Sequence, residues 1–376
     1  MHPLPAPPRA PGLDLLRAAA IVTVMLYHLA SHGFAMPALG RHGWIGVDLF
    51  FVLSGYLIGW QLLREVAAGR QPDWAAFFLK RALRVLPPYL AVLLLYLLVP
   101  GWREAAAMAP TWQFLTFTVN LFPDYARYRA YSHAWSLCVE EHFYLMFPLA
   151  VWLMARRPGR GIAALAFLLL AGGMLLRDWL WRHEVAPHDA AGAFLRYAEA
   201  IYAPTWCRLD GLLAGVLLAA VRAFRPSWWT RLLRAGPVLA PAGVALLAMA
   251  LRLDPVGHAA AVIQFPLVAL GFACLLVAAL SPRLPLARFA LPGARQLALL
   301  AFSLYLTHRQ VYAWLDAHAA GLDDWPRLAA FCAYHLAALA VAALLYAGVE
   351  KPALALRERL LVRRQKQPGL AALQER

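Results

Sequence analysis

Ten apolar stretches of about 20 residues recur along the chain, and this pattern constrains its fold more than any other feature. An apolar stretch of that length crosses a bilayer as a helix, because a helix satisfies its own backbone hydrogen bonds in lipid. Hydrophobic residues make up 62% of the 376 residues, well above the share of about half in soluble proteins. The sequence therefore predicts an all-α, polytopic membrane helix bundle of about ten transmembrane helices. The stretches lie at 13–33, 44–63, 85–101, 136–155, 161–177, 201–221, 235–252, 258–280, 296–317 and 327–349.

The segments between the predicted spans alternate between the two sides of the membrane, inner and outer. The basic residues are divided unequally between these two sets of segments. One set, which includes both ends, holds 23 Lys and Arg residues, whereas the other holds 9. Positive residues accumulate in cytoplasmic loops, so this bias predicts an even number of spans with both termini in the cytoplasm. The net charge of +15 lies mostly in these loops, which argues against nucleic acid as a partner.

The segments between the spans are short, so the sequence predicts one membrane domain. We assign residues 1–355 to this domain and residues 356–376 to a basic cytoplasmic tail. The longest outer segment, 102–135, is too short for a soluble catalytic domain, and its apolar part, 111–121, is expected to be interfacial or re-entrant. No metal site is predicted, since the four cysteines form no C-x-x-C pair.

Arg17 and His28 are two ionisable residues within the first apolar stretch. They are eleven residues apart, close to three helical turns, so they share one face with an axial offset of about 16 Å. Ionisable groups inside a membrane helix usually mark a functional site. We expect Arg17 to bind an anion and His28 to act as a base; the structural alternatives are a snorkelling arginine and a hydrogen-bonded core histidine.

Two further clusters lie near the boundaries of the second and third spans. Asp48 opens the second span, where its carboxylate is suited to orienting an imidazole; the alternative is a helix cap. Lys80, Arg81 and Arg84 precede the third span, which we expect to begin at Pro87-Pro88. Basic residues three positions apart on a helix form a phosphate clamp; the alternative is an ordinary cytoplasmic basic cluster.

Two adjacent glutamates, Glu140 and Glu141, lie about one turn inside the fourth span. Adjacent helical residues point about 100° apart, so at most one of them is expected to face a given site. A buried carboxyl group without a partner is costly, which favours a paired or functional role. For Arg208 and Asp210 we favour ion pairs with partners elsewhere, because residues two apart do not face each other on a helix. His308 is left open between polar packing and substrate contact.

Taken in order, seven motifs over about residues 13–355 resemble the membrane-bound acyltransferase family 3. Cys138 and His142 depart from the Ser and Gln expected of the family. The motifs are R-x10-H at Arg17 and His28, G-V-D-x-F-F-V-x-S-G from Gly46 to Gly55, R-x-x-R at Arg81 and Arg84 before Pro87-Pro88-Tyr89, W-S-L-x-x-E-E-x-F-Y from Trp135 to Tyr144, R-x-D-x-x-x-x-G from Arg208 to Gly215, S-x-Y-L-x-H from Ser303 to His308, and Glu350-Lys351-Pro352.

The resemblance implies transfer of an acyl group, usually acetyl, from cytoplasmic acyl-CoA to a hydroxyl group of a glycan or glycosylated acceptor. Lipopolysaccharide, exopolysaccharide and peptidoglycan are typical acceptors, and the bacterial inner membrane is the implied location. The implied catalytic residues are His28, Asp48, Glu140 and Glu141. The residues implied to bind acyl-CoA are Arg17, Lys80, Arg81 and Arg84, and those implied to contact the acceptor are His133, Trp135, Tyr144, Arg208 and His308.

The role of His28, its orienting carboxylate, the need for a partner and the function itself each have an alternative. His28 either deprotonates the acceptor hydroxyl or carries the acyl group itself, and the sequence does not choose which carboxylate orients it. Many family members carry an additional esterase-like domain, so this chain is expected to act alone or with a separate periplasmic transfer partner. The alternative function is a multi-pass transporter or flippase of a cell-envelope precursor, which also accommodates charges inside the membrane.

Overall fold

The structure is a computed structural model that describes residues 10–30, 32, 34, 38–154, 158–319 and 325–365. This part of the chain is helical and contains no β-strand, only an isolated bridge between Met108 and Ala130. The predicted all-α fold is therefore confirmed. The main helices are α1 (Pro11–Ala30), α2 (Ile45–Ala67), α3 (Trp74–Leu98), α4 (Trp135–Leu153), α5 (Pro158–Leu180), α6 (Ala190–Tyr197), α7 (Asp210–Phe224), α8 (Pro226–Arg234), α9 (Gly236–Ala250), α10 (Phe265–Leu280), α11 (Ala294–His318), α12 (Arg327–Leu345) and α13 (Lys351–Gln365).

Six of the described helices are long and apolar enough to cross a membrane, or seven if the bent pair α8 and α9 forms one span. This finding supports a multi-pass membrane protein. The count of ten spans, the cytoplasmic termini and the boundary at residue 355 stay predictions, and the tail from 366 onwards lies outside the described residues. The six helices are Pro11–Ala30, Ile45–Ala67, Trp74–Leu98, Gly159–Val185, Ala260–Leu280 and Arg327–Arg364.

The third helix begins much earlier than the sequence predicted. Asp73 caps α3 by accepting a hydrogen bond from the backbone N–H of Ala76 at 2.9 Å. Pro87 and Pro88 lie inside the helix, so the prediction that they open it was wrong. The first half of α3 carries the basic cluster at 80–84, and these charges hide its helical character from a search for continuous apolar stretches.

The sixth predicted span, 201–221, is not one continuous helix. It contains the end of a π-helical turn at Ala198–Tyr202, a 3₁₀ turn at Thr205–Cys207, and most of α7. Pro204 lies in the break with extended backbone at φ −65° and ψ 137°, and it has no N–H group with which to continue the preceding helical turn. This interruption brings polar side chains and backbone carbonyls into an otherwise apolar region.

The chain divides into two units, which we describe separately. The first contains residues 1–70 and 107–301, and the second contains residues 71–106 and 302–376. In the first unit, α2 and α7 are in very close contact: a Cβ atom added to Gly55 would lie 2.0 Å from the carbonyl oxygen of Leu212, and one added to Gly215 would lie 2.2 Å from that of Val52. Only glycine permits this close approach of the two helices.

Candidate active site

A buried ion pair joins Asp48, near the start of α2, to Arg208, just before α7. The Nη2 atom of Arg208 donates to both carboxylate oxygens of Asp48, at 2.8 and 3.0 Å. Both side chains are almost completely inaccessible to solvent. The prediction that Arg208 has an ionic partner elsewhere in the chain is confirmed, and that partner is Asp48. The orientation of His28 by Asp48 stays a prediction.

A second buried ion pair lies between Arg177 of α5 and Asp210 of α7. It is bidentate, with Nη1 to Oδ2 at 2.8 Å and Nη2 to Oδ1 at 3.1 Å, and Nη1 also donates to the carbonyl oxygen of Cys207 at 2.7 Å. Arg177 is the last residue of the predicted span 161–177, and its side chain is 1% exposed within a helix. The ionic partner predicted for Asp210 is therefore Arg177.

Aromatic rings surround the guanidinium group of Arg208. Its central carbon lies 4.0 Å from the ring centroid of Phe265, 4.5 Å from that of Tyr202 and 5.0 Å from that of Trp135. Phe265 also lies 5.5 Å from the guanidinium carbon of Arg177. Delocalised guanidinium groups tolerate such surroundings better than ammonium groups do. Trp135 thus packs against Arg208, and the substrate contacts predicted for both residues stay predictions.

Glu140 of α4 is the centre of a hydrogen-bonded cluster that also contains Ser54 of α2. The hydroxyl of Ser54 donates to Oε1 of Glu140 at 2.8 Å, and the hydroxyl of Tyr144 donates to Oε2 at 2.8 Å. The two hydroxyl oxygens are 3.4 Å apart. Each carboxylate oxygen therefore has its own donor, which holds the carboxyl group in one orientation. The sequence did not predict this contact.

The two residues after Glu140 have different surroundings. Glu141 is partly buried on the adjacent face of α4, as expected for neighbouring helical residues. Nδ1 of His142 lies 2.7 Å from the hydroxyl oxygen of Thr205, which also accepts from Asn120 at 2.8 Å. Asn120 donates in addition to the carbonyl oxygen of Ala203 at 3.2 Å. These bonds satisfy polar groups at the break before α7.

Arg17 and His28 both lie on α1, as predicted, and both are partly buried. The guanidinium of Arg17 is 3.5 Å from the carboxylate of Asp14, one turn away. The ring of His28 lies beside that of Tyr27, with centroids 5.4 Å apart. This end of α1 packs against the start of α2, where a Cβ atom added to Gly43 would lie 2.9 Å from the Cβ of Tyr27.

His133, a predicted acceptor contact, lies just before α4 and is 3% exposed. Its ring packs edge-on against Tyr131, with centroids 5.2 Å apart. Tyr131 itself has a φ of 58°, a left-handed conformation that is uncommon for residues other than glycine. Its ring stacks on Phe114 with centroids 5.5 Å apart, so aromatic packing supports the turn that leads into α4.

In the second unit, Lys80, Arg81 and Arg84 lie on α3 and are partly buried. Arg84 interacts electrostatically with Glu350, a carboxyl group that is 1% exposed at the end of a π-helical turn. Glu350 accepts a hydrogen bond from the hydroxyl of Ser303 at 2.8 Å. The basic cluster thus contains one arginine that offsets a buried negative charge.

His308 of α11 is completely buried in the second unit. Nδ1 lies 2.8 Å from the carbonyl oxygen of Leu304, and because a carbonyl can only accept, Nδ1 carries a proton. The rings of Tyr305 and Tyr312 flank the imidazole at centroid distances of 6.2 and 5.8 Å. The structure thus places His308 in polar packing, and its contact with substrate stays a prediction.

Sequence reasoning missed three residues that hold these polar clusters together. Arg177 could have been found from its position in the uninterrupted helical segment after Pro158. The contact of Ser54 with Glu140 has no sequence signal, since 86 residues separate them. The hydroxyl of Thr205 likewise joins residues far apart in sequence.

The chain is similar in sequence to several known O-acetyltransferases. No solved structure matches the chain. The O-acetyltransferase OatA of Staphylococcus aureus strain NCTC 8325 / PS 47 is 31% identical over 232 residues, which cover 57% of this chain and 35% of that protein. The OatA of strain COL matches to the same extent. The chain thus spans about a third of the length of these curated relatives.

The family described as "Acyltransferase domain" matches residues 11–347, which include every candidate site residue from Arg17 to His308. This match covers most of the chain. The chain therefore belongs to this acyltransferase family, the membrane-bound family 3 that its motifs resemble.

Proposed function

We propose that this protein is a membrane-embedded O-acyltransferase that moves an acyl group, in the first instance acetyl, from cytoplasmic acyl-CoA to a hydroxyl group of a glycan or glycosylated acceptor. The family match over residues 11–347 carries the proposal. The similarity to proteins named O-acetyltransferase favours acetyl as the group and oxygen as its acceptor. We place the protein in the bacterial inner membrane, as the family resemblance implies. The apolar stretches and the distribution of basic residues favour about ten spans with both termini in the cytoplasm.

In the proposed reaction, His28 removes the proton from the acceptor hydroxyl. The resulting oxygen nucleophile attacks the thioester carbonyl, the C–S bond breaks, and the CoA thiolate leaves and takes up a proton. In the alternative route, a nitrogen of His28 attacks the thioester first and then passes the acyl group to the acceptor. The carboxylates of Asp48, Glu140 and Glu141 are the candidates for orienting His28. We favour Glu140 among these carboxylates, because hydrogen bonds from two hydroxyl groups already hold it in one orientation.

A direct test uses the purified protein in a non-ionic detergent with acetyl-CoA labelled in the acetyl group. We expect labelled acetyl to appear on a hydroxylated glycan acceptor and free CoA to be released in equal amount. Mass spectrometry of surface glycans from cells with and without the gene identifies the acceptor. Reconstituted protein that moves a glycan precursor across vesicles but transfers no acetyl group would instead establish the transporter alternative.

Weakening the hydrogen bonds to Glu140 is expected to slow the reaction without preventing substrate binding. Ser54→Ala and Tyr144→Phe each remove one donor to this carboxylate. A hydrogen bond to a charged group contributes about 1.5–3 kcal/mol, so we expect kcat to fall about tenfold or more in each variant. Steady-state kinetics of both variants beside the wild-type protein checks this expectation. Unchanged kcat in both variants would remove Glu140 from the proposed mechanism.

The basic residues of α3 are proposed to bind the phosphates of acyl-CoA. Arg81→Ala is expected to weaken CoA binding about tenfold, because a charge-assisted contact to phosphate is worth roughly 1.4 kcal/mol or more. Arg81 is the better position to test, because replacing Arg84 also leaves the buried carboxyl group of Glu350 without its nearby positive charge. Isothermal titration with CoA measures the effect, and Arg359→Ala, an exposed arginine of α13, is the matched control. Equal affinities for both variants would contradict the clamp.

A further inference from the structure

Helix α8 differs from its neighbours in direction and in amphipathic character. Its axis is bent by 75° from that of α9, from which only Ala235 separates it. When α9 crosses the membrane, α8 therefore lies close to the membrane plane. Trp229 is buried and stacks on Tyr56 with ring centroids 6.0 Å apart, whereas Trp228 is 58% exposed. A short helix with one buried face and exposed Trp and Arg residues is typical of a membrane interface.

The C-terminal end of α8 is held firmly by residues that follow α10. The hydroxyl of Ser281 donates to the carbonyl oxygen of Leu233 at 2.6 Å, and Nη1 of Arg283 donates to that of Arg234 at 3.0 Å. These bonds satisfy carbonyl groups that a helix end otherwise leaves without an intrahelical partner. A Cβ atom added to Gly236 would lie 2.3 Å from the Cβ of Ser281, so the side chain of Ser281 lies directly against the backbone of Gly236. Helix α8 is thus fixed in position relative to α10.

An open cleft of about 350 Å³ lies between α7 and α8. Val221 of α7 and Trp228 and Leu232 of α8 line it together with Ala235, so its walls are almost entirely apolar. The one charged residue among the five lining residues is Arg231, whose side chain is exposed. The volume of the cleft lies near the lower end of the roughly 300–1,000 Å³ found for small-molecule sites. An apolar wall with a guanidinium group at its edge fits an amphiphile with an anionic head.

We propose that this cleft binds one anionic phospholipid, with an acyl chain against Val221, Trp228 and Leu232 and the headgroup phosphate on Arg231. Two features select this occupant. A guanidinium group binds phosphate oxygens in a bidentate manner, and apolar walls beside an interfacial helix match a hydrocarbon chain. Basic pockets at the membrane surface are recognised sites for anionic headgroups.

Charge complementarity extends beyond the cleft itself. Arg222, Arg225 and Arg234 lie on the same segment as Arg231, and none of the five residues that line the cleft is acidic. Arg222 is directed elsewhere, since its guanidinium carbon lies 3.9 Å from the ring centroid of Trp60. Arg231 is therefore the residue that the lipid phosphate reaches from within the cleft.

The test measures lipid retention by the full chain after purification in a non-ionic detergent. Native mass spectrometry compares added phosphatidylglycerol with phosphatidylcholine of the same acyl chains. We expect one phosphatidylglycerol to be retained at least tenfold more strongly than phosphatidylcholine. Equal retention of both lipids would overturn the proposal. The readout does not depend on acyl transfer, so its result is independent of the proposed enzymatic function.

Two variants on the same helix locate the site. Arg231→Gln is expected to abolish the preference for phosphatidylglycerol, whereas Arg234→Gln, an exposed arginine that does not line the cleft, is expected to keep it. An equal loss in both variants would show attraction to a basic surface and would overturn a defined site. Size-exclusion chromatography checks that both variants fold; if either does not, competition in the wild-type protein decides.

Competition in the wild-type protein separates a lipid from other phosphates. Glycerol 3-phosphate and CoA are expected to leave the bound phosphatidylglycerol in place, because neither fills the apolar walls with a hydrocarbon chain. Displacement by either compound at concentrations comparable to that of the lipid would assign the cleft to a soluble phosphate ligand. Ala235→Phe, which narrows the cleft, is expected to reduce retention at unchanged charge, and undiminished retention would place the acyl chain elsewhere.

Discussion

His28→Ala is expected to lose acyl transfer by a factor of about 10²–10⁴ or more, which is the usual contribution of a general base. His28 lies in the last turn of α1, partly buried and beside Tyr27. Its replacement by Ala removes a ring from a partly exposed position, so we expect normal amounts of folded protein. The measurement is acetyl transfer by purified protein, together with the elution profile in size-exclusion chromatography.

His32→Ala is the matched control, because His32 lies just after the same helix and has no assigned role. We expect this variant to retain transfer. Incubation of the wild-type protein with acetyl-CoA and without acceptor then distinguishes the two routes. An acetyl group on His28 in the peptide map indicates an acyl-enzyme, and its absence indicates a general base. Normal glycan acetylation by His28→Ala would exclude both roles.

Asp48→Ala is expected to destabilise the first unit strongly. The change leaves the guanidinium of Arg208 buried without its counterion, among the rings of Phe265, Tyr202 and Trp135. Removing one partner of a buried ion pair costs about 3–5 kcal/mol, because the remaining charge stays desolvated. The fraction of monodisperse protein after heating, measured by fluorescence-detected chromatography, is expected to fall at a much lower temperature than for the wild type.

A double variant separates the charge from the shape of this site. Asp48→Asn combined with Arg208→Met removes both charges and keeps similar volumes, so we expect it to recover much of the stability lost in Asp48→Ala. Glu358→Ala breaks an exposed pair with Arg357 and is expected to leave the thermal profile unchanged, since such pairs contribute little. If Asp48→Ala behaves like Glu358→Ala, the buried pair does not stabilise the fold.

The second buried ion pair, between Arg177 and Asp210, lies beside the pair of Asp48 and Arg208, and together they carry no net charge. Arg177 and Asp210 are bidentate and buried, and Phe265 contacts the guanidinium groups of both arginines. Four buried charges thus sum to zero within one cluster. A single chain segment contributes to both pairs, since Arg208 lies just before α7 and Asp210 is its first residue. This arrangement explains why ionic residues two positions apart occur together: each faces a different partner.

Much of the fold could be predicted from the sequence because hydrophobicity is a local property. Apolar stretches predicted most of the long helices, although α6, α8 and α13 lie outside these stretches, and Arg17 and His28 do lie on one helix. The start of α3 was missed because its first half is amphipathic and basic, so it resembles a loop to a search for apolar stretches. The break before α7 was missed because one proline in an apolar region gives a weak signal.

The sequence by itself determined the helical class of this protein, its membrane character, the family and the identities of the candidate residues. These depend on composition, periodicity and the order of motifs, which are all present in the linear chain. Only the tertiary structure decided which side chains meet. The pairing of Asp48 with Arg208 spans 160 residues, and that of Ser54 with Glu140 spans 86. Such contacts follow from how helices pack, and a single sequence contains no direct record of packing between distant segments.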